Sequence, residues 1–294
     1  MVLQPVAGRR RVELLSLRRR DVVFADREAL IDADRRRAWR LHARTACEVN
    51  AAVVPGGDRS RQRDGATLLR LHTAAVLPVK RFPLAKQRLG ASVGEPLRAD
   101  LARAMVGDVL CALGECRAIE ATVVVTLEAQ VAAAARYLGA TVIEDTAERG
   151  QSAAAELGIA HALAAGFEQV LCVPGDCPAL DPDELARLLA TAQDGVTIVP
   201  DRHGSGTNGL LLAPPDAISP SFGPDSRARH EQLASEAGVA CRVDAVSSLL
   251  LDIDTGEDLA ELRRRLTDER VRALRTRSVL GLRDDSWRSS RPAA

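Results

Sequence analysis

Gln169-Val170-Leu171-Cys172-Val173-Pro174-Gly175-Asp176-Cys177-Pro178-Ala179-Leu180-Asp181-Pro182 is the stretch on which the fold turns. The run 169–174 is almost wholly apolar. A strand with one wet face would alternate, so this one is buried on both faces. Gly175-Asp176 closes it with a turn and a carboxylate. Asp181 and Pro182 then open a helix over about 181–193, as N-cap and first-turn proline. A strand covered on both sides and followed directly by a helix belongs to a parallel sheet.

The same texture extends outward from this stretch. Upstream, 74–79, 121–126 and 140–143 read as strands, separated by helices over about 95–113 and 128–138. A third, Ala-rich helix over about 152–165 leads into the strand quoted above. Leu97, Leu101, Met105 and Val109 fall four apart, on one helical face. Downstream, 196–199 and 209–213 read as strands, and 248–254 as one more. A final helix begins near Thr255, with Gly256-Glu257-Asp258 in its first turn. The fold class is α/β, with a mostly parallel sheet covered on each side. Ligands of such sheets gather beyond the carboxyl ends of the strands. Residues following Val79, Pro174, Val199 and Ile253 are therefore expected to converge.

Composition limits the function classes. Of 294 residues, 46% are hydrophobic, and 27% are charged with no net charge, as in globular domains. No apolar run is long enough to span a membrane. Aromatics are 2%, too few for a platform that stacks single-stranded nucleic acid. The six cysteines (47, 111, 116, 172, 177, 241) form no CxxC pair and no zinc spacing with the five histidines. Reduced thiols in a cytoplasmic protein are expected. The neutral total hides a split: residues 1–72 hold sixteen Arg against nine acids, and the rest is equally acidic. This segment reads as a nucleic-acid arm, a targeting peptide or a dispensable, poorly ordered extension. Its acids (Asp21, Asp26, Glu28) argue against a transit peptide, and the extension is preferred. The tail 278–294 reads as frayed.

Several polar groups fall at the expected binding edge. Lys80 and Lys86, the only two lysines in the chain, follow the first strand in Lys80-Arg81-Phe82-Pro83-Leu84-Ala85-Lys86-Gln87-Arg88-Leu89. In a chain so Arg-rich, retained lysines suggest a site that wants a compact ammonium. A basic loop at this edge can hold a polyphosphate, although it carries neither GxxxxGK[ST] nor GxGxxG. Solvated loop charges are the plainer alternative. Asp176 alone reads equally as a turn or cap. The weighting changes with Leu251-Asp252-Ile253-Asp254-Thr255, where alternation puts Asp252 and Asp254 on one side of an extended segment. Either can join Asp176 around a divalent ion, the other capping the last helix. Two further loops, 201–209 and 222–230, offer backbone N–H groups, Thr207, and a helix N-terminus at Ser226-Arg227, where Ser226 is expected as cap. No Ser-His-Asp nucleophile motif is present.

Together these motifs resemble one family. The segments 77–89, 174–180 (Pro-Gly-Asp-x-Pro-Ala-Leu), 201–207 (Asp-Arg-x-Gly-x-Gly-Thr), 222–230 (Phe-Gly-x-x-Ser-x-x-x-His) and 251–255 (Leu-Asp-Ile-Asp-Thr) are similar, in order, to the phosphoenolpyruvate / 2-phospho-L-lactate guanylyltransferases of deazaflavin coenzyme F-420 biosynthesis. The resemblance implies a Rossmann-like three-layer α/β/α sandwich of nucleotide-diphospho-sugar transferase type, with a mixed, mostly parallel sheet. It implies a nucleotidyltransferase domain over 73–270 that joins a phosphorylated three-carbon acid to GMP from GTP, with Mg2+ as cofactor. Asp176 and Asp252 would bind the metal, with Asp254 the competing ligand. Thr207, Gly223 and Ser226 would bind phosphoenolpyruvate. Lys80, Lys86 and Arg88, with Asp176, would act in catalysis at the triphosphate. The partners implied are GTP and the acid, with no nucleic acid and no membrane, and product hand-off to the next transferase of the pathway. Gln151-Ser152 departs from the Leu-Asn frequent in this family at a segment expected near the base. Two alternatives are another nucleotidyltransferase of the same fold (cytidylyl- or molybdenum-cofactor type) and a non-catalytic nucleic-acid-binding protein that uses the Arg-rich start.

Overall fold

Along β1 (Thr73–Val79) successive side chains go to opposite faces: Ala75 and Leu77 join one apolar cluster, Ala74 and Val76 another. Both faces of a strand with this two-residue period and no polar side must be covered. In the computed structural model, which describes residues 71–82, 89, 94–268 and 270–282, seven strands do this together. They are β1, β2 (Ala121–Thr126), β3 (Thr141–Ile143), β4 (Gln169–Cys172), β5 (Gly195–Pro200), β6 (Thr207–Ala213) and β7 (Cys241–Val243). The sheet order is β3-β2-β1-β4-β6-β5-β7, and β6 alone runs against its neighbours. The mixed, mostly parallel sheet is as expected.

The helices are α1 (Glu95–Glu115), α2 (Ala129–Tyr137), α3 (Gln151–Ala164), α4 (Pro182–Ala190), α5 (Ser226–Ala237), α6 (Gly256–Arg265) and α7 (Leu274–Val279). Helices α1, α2 and α4 pack on the face that includes Leu77, Val124, Leu171 and Leu211. The opposite face, with Val76, Val125, Val170 and Leu210, receives α3 and α5. Helix α3 lies so close that a Cβ on Gly158 would stand 2.4 Å from Val76 Cγ1. A third cluster joins Leu101 and Met105 of α1 to Leu251, Ile253, Leu259 and Leu262. Asp181 caps α4 as expected, accepting from the N–H groups of Asp183 (2.8 Å) and Glu184 (2.9 Å). Among the described residues no helix is long and apolar enough to cross a membrane.

Two readings of elements need correction. The segment 248–254 is not a strand; it turns at 247–250, where Leu249 N–H bonds Val246 O at 2.9 Å, and 251–254 runs outside the sheet with Leu251 and Ile253 buried. Strand β7 and helix α7 were not foreseen. The expectations for residues 1–70 and 283–294 lie outside the described residues.

Candidate active site

The parallel strands end at one edge, and antiparallel β6 begins there, with Thr207 paired to Pro200. Asp176 arrives three residues beyond Val173, whose N–H still bonds Val76 O at 3.0 Å. A side chain at Gly175 would place Cβ 2.9 Å from Val106 Cγ2, so the turn that presents Asp176 favours glycine. The 248–254 segment is drawn to the same place by bonds to loops and to one strand end. Ile253 N–H donates to Asp176 O at 3.1 Å, and Leu249 O accepts from Asn208 Nδ2 at 2.8 Å. Asn208 Nδ2 also donates to Asp252 Oδ1 at 3.2 Å. Burial, then the charge of Asp176, push the Asp252 carboxyl above the usual range, with a smaller push from Asp254, against the Asn208 bond that favours its ionised form. Asp176 and Asp252 are thus close enough to repel.

Asp254 lends its backbone to the next helix. Its N–H donates to Asp258 Oδ2 at 3.1 Å, and the cap of α6 is Thr255, which forms a capping box with Asp258. The expectation that a spare aspartate caps this helix is corrected: the Thr255 hydroxyl follows the carboxylates directly and takes that position. Among the described residues no group of three or more His, Cys, Asp or Glu side chains is placed to hold a metal. Two crowded carboxylates are nevertheless the hard-oxygen set that Mg2+ takes when substrate phosphates and water complete its shell.

The second half of the edge is built around Thr207, which is buried at the start of β6. Thr207 Oγ1 lies 3.1 Å from Nδ1 of His230, a fully buried residue of α5. Ser221 N–H donates to the other ring nitrogen, Nε2, at 2.8 Å. Arg229 ties the same loop: Nε to Ser221 Oγ (3.0 Å), Nη2 to Ser221 O (2.9 Å), and Nη1 to Pro224 O. Ser152, at the start of α3, accepts from Phe222 N–H at 2.9 Å, which ties this residue to the 221–225 loop. Gly223 has φ 118°, a conformation side chains disfavour. Ser226 is buried as the first residue of α5; the preceding Asp225, at φ 54°, is the N-cap, so the expectation of Ser226 as cap is corrected. The turn bond from Ser226 N–H to Gly223 O (3.1 Å) takes Ser226 into the helix one residue early.

The 201–206 loop is fastened at both ends. Arg227 N–H donates to Ser205 O at 3.1 Å, and Arg202 Nη2 pairs with buried Asp258 Oδ1 at 2.7 Å. Gly204-x-Gly206-x-x-Gly209 spells a dinucleotide-binding pattern, but it joins antiparallel β5 and β6 and not a strand to a helix. At the other side of the edge, exposed Lys80 follows β1, Arg81 Nε pairs with Glu148 Oε1 at 3.1 Å, and Phe82 N–H donates to Glu128 Oε2 at 3.3 Å. The chain is next described at buried Leu89. Lys86 and Arg88 lie outside the described residues. Asp176, Asp252 and Gly223 thus lie in loops, Thr207 and Asn208 at the start of β6 and Ser226 at the start of α5, all at the expected edge. Asn208 and His230 were missed as structural partners. The only signal for Asn208 was a polar residue leading into an apolar strand.

The mixed, mostly parallel sheet with one reversed strand is a fold of the nucleotide-diphospho-sugar transferase type, and the family and relatives that match the chain make it a nucleotidyltransferase. A solved structure described as a nucleotide-diphospho-sugar transferase from Desulfovibrio desulfuricans matches 74% of this chain and 97% of its own, with a TM-score of 0.58 at 19% identity. The chain belongs to the family described as "Guanylyl transferase CofC like", whose model matches residues 73–275. The phosphoenolpyruvate guanylyltransferase of Conexibacter woesei is 46% identical over 71% of this chain and 96% of its own length. That of Streptomyces coelicolor is 41% identical over 63% and 86%.

Proposed function

We propose that the protein transfers the GMP moiety of GTP to phosphoenolpyruvate, giving enolpyruvyl-diphospho-5'-guanosine and pyrophosphate for coenzyme F-420 biosynthesis, in the cytoplasm. The observation that carries the reading is the Asp176–Asp252 pair, held by Asn208 next to the Thr207–His230 contact on one sheet edge. The names of the relatives, phosphoenolpyruvate guanylyltransferases, support the choice of acid and nucleotide. Free thiols at Cys111, Cys116, Cys172, Cys177 and Cys241 fit a reducing compartment.

In this reading Asp176 and Asp252 hold Mg2+, with Asp254 the competing ligand; when bound, the ion neutralises phosphate charge and aligns the groups. Thr207, Gly223 and Ser226 hold the acid, whose phosphate oxygen forms the new bond to the α-phosphorus. The bond from that phosphorus to the bridging oxygen breaks, and its electron pair leaves with pyrophosphate. Lys80, with Lys86 and Arg88, meets the charge that builds on the leaving group. The attacking oxygen is already anionic, so no general base is needed and positioning carries the rate. The product is an activated diphosphate diester, suited to hand-off to the next transferase. Incubation with Mg2+, GTP and one acid at a time, following pyrophosphate, tests this. Release fastest with phosphoenolpyruvate is expected. Release with none of phosphoenolpyruvate, 2-phospho-L-lactate and 3-phosphoglycerate, or release only when CTP replaces GTP in a parallel incubation, overturns it.

A further inference from the structure

His230 is fully buried near the start of α5, yet both ring nitrogens are engaged. A backbone N–H only donates, so the 2.8 Å bond from Ser221 N requires a lone pair on Nε2. The ring is then neutral, and its one proton sits on Nδ1. At 3.1 Å from Thr207 Oγ1, that proton makes the hydroxyl oxygen an acceptor. With one lone pair so occupied, the hydroxyl's own hydrogen has to turn away from the histidine. Burial and the neighbouring Arg229 charge push the ring down to about 4, which keeps it neutral at physiological pH. The Phe222 ring, edge-on with centroids 5.4 Å apart, packs against the imidazole and restricts its rotation.

Thr207 is adjacent to Asn208, which holds Asp252. An unconstrained hydroxyl turns either a hydrogen or a lone pair toward its ligand, and a lone pair repels an anion. We propose that His230 is a positioning residue that fixes the Thr207 hydroxyl as a hydrogen-bond donor toward an anionic oxygen of the acid substrate, with the Ser221 N–H selecting the tautomer that does so. This inference rests on the reading of Thr207 as part of the acid site. It assigns His230 no proton transfer: the ring stays neutral throughout, and its effect is on the orientation of a donor before substrate arrives.

Two measurements test it. The first is 15N NMR of the imidazole in the full chain at neutral pH, with the signal assigned by its loss in His230→Asn. A neutral ring protonated on Nδ1 is expected; an Nε2–H tautomer or an imidazolium overturns the proposal without any kinetic assay. The second is kinetics on variants that melt cooperatively. His230→Gln, which offers no donor at the Nδ1 position, is expected to raise KM for phosphoenolpyruvate about tenfold, the scale of one hydrogen bond to a charged ligand, with KM for GTP little changed. His230→Asn, which can place an N–H near that position, is expected to recover most of this. In a Thr207→Val background the His230→Gln penalty is expected to vanish. A penalty that persists there in full, or that falls equally on GTP and acid, overturns the proposal. Wild-type protein that releases pyrophosphate with none of the acids overturns the acid-site reading and this one with it. Wild-type activity with the wrong tautomer overturns this one alone.

Discussion

At the scale of single residues the chemistry rests on charges brought close enough to repel. Asp252 is held up in pKa by burial and by Asp176, a cost that a bound cation would reverse. Asp176→Asn and Asp252→Asn are therefore each expected to lower turnover roughly a hundredfold or more, because a weakened ion also misplaces the reacting phosphate. Asp254→Asn is expected to lower it far less, since Asp252 is the carboxylate that Asn208 holds and that feels the charge of Asp176. Steady-state rates across a magnesium titration decide this, and equal losses at 252 and 254 would count against the pairing. Lys80 supplies a second test. Arg81 is paired with Glu148, whereas Lys80 is exposed just past β1. Lys80→Ala should cost roughly 2–4 kcal/mol in kcat/KM, as for loss of one preorganised donor. Lys80→Arg should recover little, because a guanidinium is broader and more directional. Full activity in Lys80→Arg would leave the paired lysines as an accident of composition. These carboxylates and the lysine were legible in sequence because each ends a readable apolar run. The Asn208–Asp252 and Thr207–His230 partnerships were not, since they are 44 and 23 residues apart and depend on how loops return to the edge.

At the scale of elements, legibility followed hydrophobic period. Six strands were readable as short apolar runs, and six helices from apolar spacing near 3.6 residues or from their start signals. The 248–254 segment is as apolar at its start and alternates from Leu251, but it satisfies its backbone through Asp176 and Asn208 and not through a ladder, a distinction that pattern alone cannot make. Strand β7 is three residues long with an exposed Cys241 and Val243, too short for a pattern. Helix α7 depends on a distant carboxylate: buried Asp108 of α1 accepts from Arg275 N–H (3.0 Å) and Thr276 N–H (2.9 Å). Burial pushes Asp108 up to about 6 despite those bonds. An acid with a raised folded pKa stays protonated in the folded state after the unfolded chain has ionised. Its contribution to stability therefore falls as pH rises from about 4 to about 6, and is flat above that. His230, lowered to about 4 from 6.5, acts in the opposite sense: the unfolded chain takes up the proton first as pH falls, so stability is lost toward pH 4. Each effect is worth on the order of 3 kcal/mol, and the two oppose each other. Denaturant melts of Asp108→Asn are expected to remove the first effect, with stability rising by about 3 kcal/mol relative to wild type between pH 4 and 6. A difference curve without slope would place Asp108's titration elsewhere.

At the scale of the whole molecule, the question is how much of the chain the transferase needs. The family match begins at Thr73, and the Conexibacter relative aligns over 96% of its own length while using 71% of this chain. Residues 1–70 are therefore expected to be dispensable for catalysis, whereas a nucleic-acid-binding protein relying on its Arg-rich start would lose its function without them. The cut has to respect a local contact. His72 N–H donates to Glu168 Oε2 at 3.1 Å, His72 O accepts from the N–H groups of Glu168 and Gln169, and His72 Nδ1 lies 2.8 Å from Glu120 Oε2. These bonds tie the start of β1 to the starts of β4 and β2, the two strands that flank it in the sheet. A chain beginning at Leu71 is expected to keep wild-type kcat, KM and melting temperature. One beginning at Ala74 removes His72 and Thr73, including the buried bond from Thr73 Oγ1 to Gln169 Oε1 at 2.9 Å. That chain is expected to melt several degrees lower, as the loss of about 1–2 kcal/mol from a domain of this size requires. Activity assays and melts on the two truncations separate the outcomes. Loss of activity in the chain beginning at Leu71, with melting unchanged, would show that the Arg-rich segment takes part in the reaction and would overturn its dispensability.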